Sequence, residues 1–125
     1  MTPAGPELNA LNREVAEKVM GCTVESGVTY HDGRGIPWTV FRKDGTTHNS
    51  IPYSTDLLAA MEVVAEMQRQ RFEVEAEWRL IGEQWRVAFI MTGITYREYG
   101  ATADTLPLAI CRAALAAVSP TDKQE

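Results

Sequence analysis

Between Phe72 and Met91 the chain reads FEVEAEWRLIGEQWRVAFIM. Phe72, Val74, Ala76, Trp78 and Leu80 alternate with Glu73, Glu75, Glu77 and Arg79, and Trp85, Val87, Phe89 and Met91 resume the alternation. A period of two marks a strand with one face buried. With Gly82-Glu83 as a two-residue turn, the spacing predicts a hairpin in which Leu80 faces Trp85, Trp78 faces Val87, Ala76 faces Phe89 and Val74 faces Met91. Every apolar residue then meets an apolar partner. The opposite face carries Glu73, Glu75, Glu77, Arg79 and Arg86 beside Ala88 and Ile90, and it sets Arg79 against Arg86. Two like charges opposite one another are mildly unfavourable unless a carboxylate such as Glu77 or Glu83, or an anion, stands between them. A third strand from about Ile94 to Tyr99 is expected after Gly93, in a register that the sequence leaves open.

Helical patterns flank this region. Leu8, Leu11, Val15 and Val19 recur at three- and four-residue steps with Ala16 and Met20 beside them, predicting an amphipathic helix over Glu7–Met20 that stops at Gly21. A second helix is predicted from about Thr55 to Arg71, with Leu57, Met61, Val64 and Ala65 as its apolar stripe. Ser54 or Thr55 is its N-cap, and Pro52 blocks an earlier start. A third runs from Leu106 to Val118, with Asp104 or Thr105 as N-cap and Pro107 in the first turn. This helix has hardly any polar face, so it is buried on more than one side or serves as a subunit contact. Residues 22–37, with Gly27, Gly33, Gly35 and Pro37, read as an irregular loop. Trp38–Arg42 reads as a strand, Lys43-Asp44-Gly45-Thr46 as a turn, and Ser119–Glu125 as a polar tail. The expected architecture is α+β, an antiparallel sheet packed by helices in an α-β-α sandwich, as one domain over 1–125 with its core at about 7–118.

Composition narrows the function. The chain has 125 residues, 45% of them hydrophobic and 23% charged, with a formal net charge of −5. Those values fit one globular domain. No apolar run reaches the roughly 20 residues of a bilayer span, and Met1–Pro6 lacks a basic-then-apolar leader, so a cytoplasmic protein is expected, with no membrane partner. The acidic balance, with no basic stripe, speaks against binding long nucleic acid. It still permits a small anion, which needs only an Arg or two or a helix N-terminus.

Cys22 and Cys111 read as free thiols. The order Cys22, His31, His48, Cys111 contains no close ligand pair, so neither a metal nor another cofactor is expected. The sequence has no G-x-S-x-G elbow, no phosphate-binding G-x-x-x-x-G-K-[ST] loop and no H-x-E with P-C-x-x-C. His31-Asp32 would make a catalytic dyad only with a nucleophile in reach, and nothing selects Ser26 or Cys22. The carboxylates of Glu73, Glu75 and Glu77 read as a solvated strand face rather than an acid–base pair. No enzymatic activity is expected.

Three stretches carry a resemblance: LNREVAEKVMG over residues 11–21, IPYSTD over 51–56 and ADTLPLAICRAAL over 103–115. Together they resemble the phage ABA sandwich domain family, with Pro52 and Tyr53 adjacent where the family pattern separates them. A looser likeness is to phage anti-defence sponges, which hold cyclic nucleotide or cyclic ADP-ribose signals without cleaving them. That likeness implies a homo-oligomer in the host cytoplasm, with a small anionic nucleotide signal as its ligand and pockets between subunits. The alternative is an interaction domain that docks on a host or phage protein through its Ala-rich last helix.

Candidate ligand-binding residues divide by what each could supply. Tyr53, Ser54 and Thr55 open the second helix, and Thr105 opens the third, where unpaired N–H groups and the helix dipole favour an anion; plain capping is the competing reading. Arg112 is the only charge between Leu106 and Val118, placed either toward solvent or at a subunit interface with its planar fork on a phosphate. Arg86 and Arg97 lie in the strand region. Trp38 and Tyr96 offer rings for stacking on a base, whereas Trp85 belongs to the core alternation.

Overall fold

The computed structural model describes residues 5–49, 51–93 and 95–118. Ten residues, Gly5–Glu14, form α1, which continues as a π-helical stretch from Val15 to Val19. In that wider stretch the Met20 N–H reaches the Val15 carbonyl at 3.0 Å. Val15, Ala16, Val19 and Met20 all become buried. Gly21, at φ +75°, ends the helix in the left-handed conformation glycine tolerates best.

Residues 22–37 are not a loop. Strands β1 (Thr23–His31) and β2 (Arg34–Lys43) form a long antiparallel hairpin, and β3 (Thr46–Asn49) adds a short third strand. Both connections are Asp-Gly turns, Asp32-Gly33 and Asp44-Gly45, with positive φ at all four residues. Such turns match the twist of the strands they join. The expected turn at residues 43–46 is therefore present, and the same chemistry at Asp32-Gly33 closes a hairpin where a loop was expected.

Helix α2 spans Leu57–Arg69 and starts later than predicted. The Pro52 carbonyl accepts from the Thr55 and Asp56 amides, which draws Ser54 and Thr55 into a turn, and the extended Asp56 caps the helix through its bond from Leu58 N–H. Its buried stripe is Ala59, Ala60, Val63, Val64 and Met67, rotated from the expected one, and Leu57 and Met61 are exposed.

The second sheet comprises β4 (Glu73–Arg79), β5 (Gln84–Met91) and β6 (Arg97–Ala103), in that order. The β4–β5 hairpin keeps the predicted faces, but its pairs slide by two residues. Trp78 opposes Trp85, Ala76 opposes Val87, Val74 opposes Phe89, and the turn takes four residues, Leu80–Glu83. The slide brings Glu77 opposite Arg86, so the expected Arg79–Arg86 clash does not arise. It also sets Trp78 and Trp85 edge to face at 5.7 Å, a favoured aromatic geometry. Strand β6 begins three residues later than predicted, and Ile94 lies outside the described residues.

Helix α3 occupies Leu106–Val118, as predicted. It lies on β5 and β6 and packs against α2 and the π-helical stretch. That burial on two sides explains why its sequence lacks a polar face. The core gathers Val87, Phe89, Leu108, Ile110, Val63, Met67 and Val15 into one cluster. The result is an α+β fold with two antiparallel sheets, consistent with an ABA sandwich; the tail from Ser119 onward lies outside the described residues.

Candidate functional site

A cleft of about 550 Å³ opens where the end of the π-helical stretch, the β2–β3 turn and α2 converge. Its floor is apolar, from Met20, Ile51, Ala65 and Tyr53, and its rim carries Lys43, His48 and Arg69 with Asp44 and Glu62. Tyr53 is almost fully buried, its ring parallel to Phe41 at 6.4 Å between centroids. Cys22 lines the cleft beside Tyr53.

The electrostatics of these groups follow from burial. Desolvation raises the Cys22 thiol pKa above its ordinary 9.0, and the Lys43 charge and the Tyr53 hydrogen bond offset only part of that. Tyr53 is pushed upward too, again chiefly by desolvation. Both groups therefore hold their protons at neutral pH. A thiol in that state is a poor nucleophile. Beside the rim, Glu66 is held below the usual carboxylate range, first by a hydrogen bond from Gln70 and further by Arg69. The Arg69 guanidinium contacts Glu66 through Nε at 3.0 Å and Nη2 at 2.6 Å, which orients it at the cleft wall.

Of the residues nominated from the sequence, only Tyr53 lines this cleft. Ser54 is buried, its N–H bonded to the Asn12 side-chain oxygen at 2.8 Å, and its hydroxyl has no hydrogen-bond partner among the described residues. Thr55 and Thr105 are exposed beside their helix starts, and the Thr105 carbonyl accepts from Ala109 N–H within α3. Arg86, Tyr96 and Glu98 do come together: Arg86 bonds Glu98 at 2.9 Å, and the Tyr96 hydroxyl donates to the other oxygen of the same carboxylate at 2.9 Å. The guanidinium lies over Gly100, where a Cβ would fall 2.7 Å from it. Glu98 thus already supplies the anion for that pair. Arg97 is exposed on β6 opposite Met91. Arg112 reaches the Thr102 carbonyl at 3.1 Å and stays exposed. Trp38 stands on the first sheet, its indole over Gly27.

The nominated residues therefore fall on separate surfaces. Lys43, Glu62 and Arg69 belong to no local motif, and the sequence offers Cys22 and His48 only as a thiol and an imidazole without a close ligand pair; turn formation at Asp44-Gly45 and the packing of α2 bring them together. Among the described residues no group of three His, Cys, Asp or Glu side chains is arranged to hold a metal ion. No helix among them is long and apolar enough to cross a membrane.

Comparison with known proteins bears on the fold. The family model of the phage ABA sandwich domain matches residues 13–115. A phage protein from Bacillus cereus ATCC 14579, known from a 2.0 Å crystal structure, is similar at 21% identity with a TM-score of 0.66, over 94% of this chain and 98% of that one. No curated protein matches.

Proposed function

The chain belongs to the phage ABA sandwich domain family, and from that premise we propose that it is a small phage-encoded binding protein that holds an anionic, nucleotide-type signal without cleaving it. The observation that carries this reading is the cleft, which combines an apolar floor for a base with Lys43 and His48 for phosphate, Arg69 beside them being paired with Glu66. Its volume falls in the range of about 300–1,000 Å³ usual for small-molecule sites. Glu62 and Asp44 would accept from ribose hydroxyls or base N–H groups. The protonated Cys22 and Tyr53 support retention of the ligand over nucleophilic attack on it. The same reading places the protein in the host cytoplasm as a homo-oligomer, with no long nucleic acid as partner.

The test is a thermal-shift screen with cyclic di- and trinucleotides and cyclic ADP-ribose isomers, followed by chromatography of the released ligand. A ligand at 100 times its Kd stabilises by about 2.7 kcal/mol, a shift of several degrees. Intact recovery is expected, and Lys43→Ala is expected to weaken binding about ten-fold or more while Arg112→Ala leaves it unchanged. Loss of binding in Arg112→Ala alone would move the site to α3. A screen without any shift would overturn the ligand reading in favour of a protein-interaction domain. Such a domain would not dock through α3, whose apolar residues are buried within the chain, but through the exposed β1–β2 hairpin.

A further inference from the structure

The cleft does not end at the β2–β3 turn. A second concavity of about 310 Å³ opens beside that turn, and the two share Lys43, Asp44 and Thr46. Their chemistry differs. Past the shared residues the cleft is floored by apolar side chains, whereas the second lobe offers Thr23, Arg42 and Thr47.

The strand register builds this second lobe. Thr23 pairs with Arg42 and Arg42 with Thr47, so two hydroxyls flank one guanidinium in a single row across three strands. Arg42 meets Glu25 through one nitrogen at 3.3 Å. Glu25 lies two residues along β1 from Thr23, on the same face of the sheet. A guanidinium has five N–H donors, so this contact orients the group without exhausting it. Lys43 forms the next pair with Thr46, whose hydroxyl donates to the Lys43 carbonyl at 2.6 Å. With that hydroxyl engaged inside the turn, the Lys43 ammonium is the cation common to both lobes. Gly45, at the tip, has nothing within 4 Å of where a Cβ would stand, so the turn presents no side-chain bulk there.

We propose that the site takes a nucleotide whose two phosphates are linked directly, a diphosphate or a pyrophosphate bridge. The first phosphate sits on Lys43, and the second is carried round the turn onto Arg42, Thr23 and Thr47. The inference rests on the nucleotide reading of the cleft and narrows it. One ammonium, a compact charge with three donors, reaches oxygens of two phosphates that share a bridging oxygen. The phosphates of a cyclic dinucleotide stand a ribose apart, too far for both to meet it. Arg42 adds its planar fork to the second phosphate. In the second lobe Arg42 and Lys43 outweigh Asp44, the one carboxylate that lines it. Asp44 also borders the cleft, where a ribose hydroxyl donates to it.

Isothermal titration calorimetry on the full chain, with the mono- and diphosphates of adenosine and guanosine as probes, tests this. For at least one base the diphosphate is expected to bind about ten-fold more tightly than the monophosphate, the size of one added hydrogen bond to a charged group. Arg42→Ala is expected to erase that ratio and leave the monophosphate affinity unchanged. Glu25→Gln keeps Arg42 but removes its carboxylate, and is expected to widen the ratio about three-fold, as the loss of a surface ion pair would. Both side chains are about half exposed, so the circular dichroism spectra of the two variants should match the wild type. Equal affinities for mono- and diphosphate, or a ratio that survives Arg42→Ala, would overturn the inference and leave the cleft reading standing. Failure of all four probes would overturn it as well, and the thermal-shift screen then shows whether the cleft reading falls with it.

Discussion

The strand pairs β1–β2 and β4–β5 are both long antiparallel hairpins, yet they differ in what lies against them. In the second sheet, α3 lies on β5 and β6, so Val87 and Phe89 are inaccessible to solvent. In the first, burial stops at Phe41 and Val24, and the distal residues of both strands face outward on both sides. In one hairpin a helix covers β5; the other is held by its own ladder and the Asp32-Gly33 turn. The comparison teaches that strand length and hydrogen bonding do not locate stability in this chain, whereas apolar cover does.

The largest effect should come from removing that cover at its centre. Phe89 is fully buried and meets Phe72 edge to face at 6.4 Å. Phe89→Ala is expected to cost about 3–5 kcal/mol in urea unfolding, as lost aromatic contacts and a cavity would. Trp38→Ala removes a larger side chain but should cost only about 0.5–1 kcal/mol, since the ring is partly exposed on the bare hairpin. Equal losses at the two positions would break the comparison.

The same contrast governs what was legible in the sequence. Strands β4 and β5 announce themselves because apolar residues alternate with charged or polar ones in sequence, although in the structure β4 is exposed except at Val74 and β5 is buried on both faces from Val87 to Ile90. Strand β1 is exposed over most of its length, so burial imposes no alternation, and its glycines suggested a loop. The Asp32-Gly33 pair was the available signal. The register of β4–β5 was misjudged for a related reason: a slide of two residues preserves every face, so periodicity cannot detect it. The Trp78–Trp85 contact and the relief of Arg79 and Arg86 settle it instead. At α2, Ser54, Thr55 and Asp56 are all competent caps, and the turn closed by the Pro52 carbonyl selects Asp56. The cleft was illegible because Cys22 and Arg69 lie far apart in sequence and meet only where the end of the π-helical stretch, the first sheet and α2 pack together.

A smaller effect sharpens the comparison by opening one hairpin alone. Gly33 sits at φ +77° in the β1–β2 turn. Gly33→Ala forces a Cβ into the left-handed region, at about 1–2 kcal/mol. Because the distal hairpin packs against little else, the expected result is local opening. Amide exchange in β1 and β2 should quicken about ten-fold, while exchange in β5 stays unchanged. A matching acceleration in β5 would mean that the two sheets unfold as one unit.

The smallest effect compares the two thiols, Cys22 at the cleft and Cys111 buried in α3. Burial in α3 pushes Cys111 up to about 12 from an ordinary 9.0. In the unfolded chain that thiol ionises from about pH 9, whereas in the folded chain it keeps its proton, so the folded state binds more protons and stability falls as pH rises from 9 toward 12. The slope for one such group approaches about 1.4 kcal/mol per pH unit. Cys22 has the same sign, but Lys43 and Tyr53 oppose its desolvation. Cys111→Ala should therefore flatten the decline in urea stability between pH 8 and pH 10 more than Cys22→Ala does. The reverse order would place the drier environment at the cleft and not beneath the second sheet, contrary to the burial that sets the two hairpins apart.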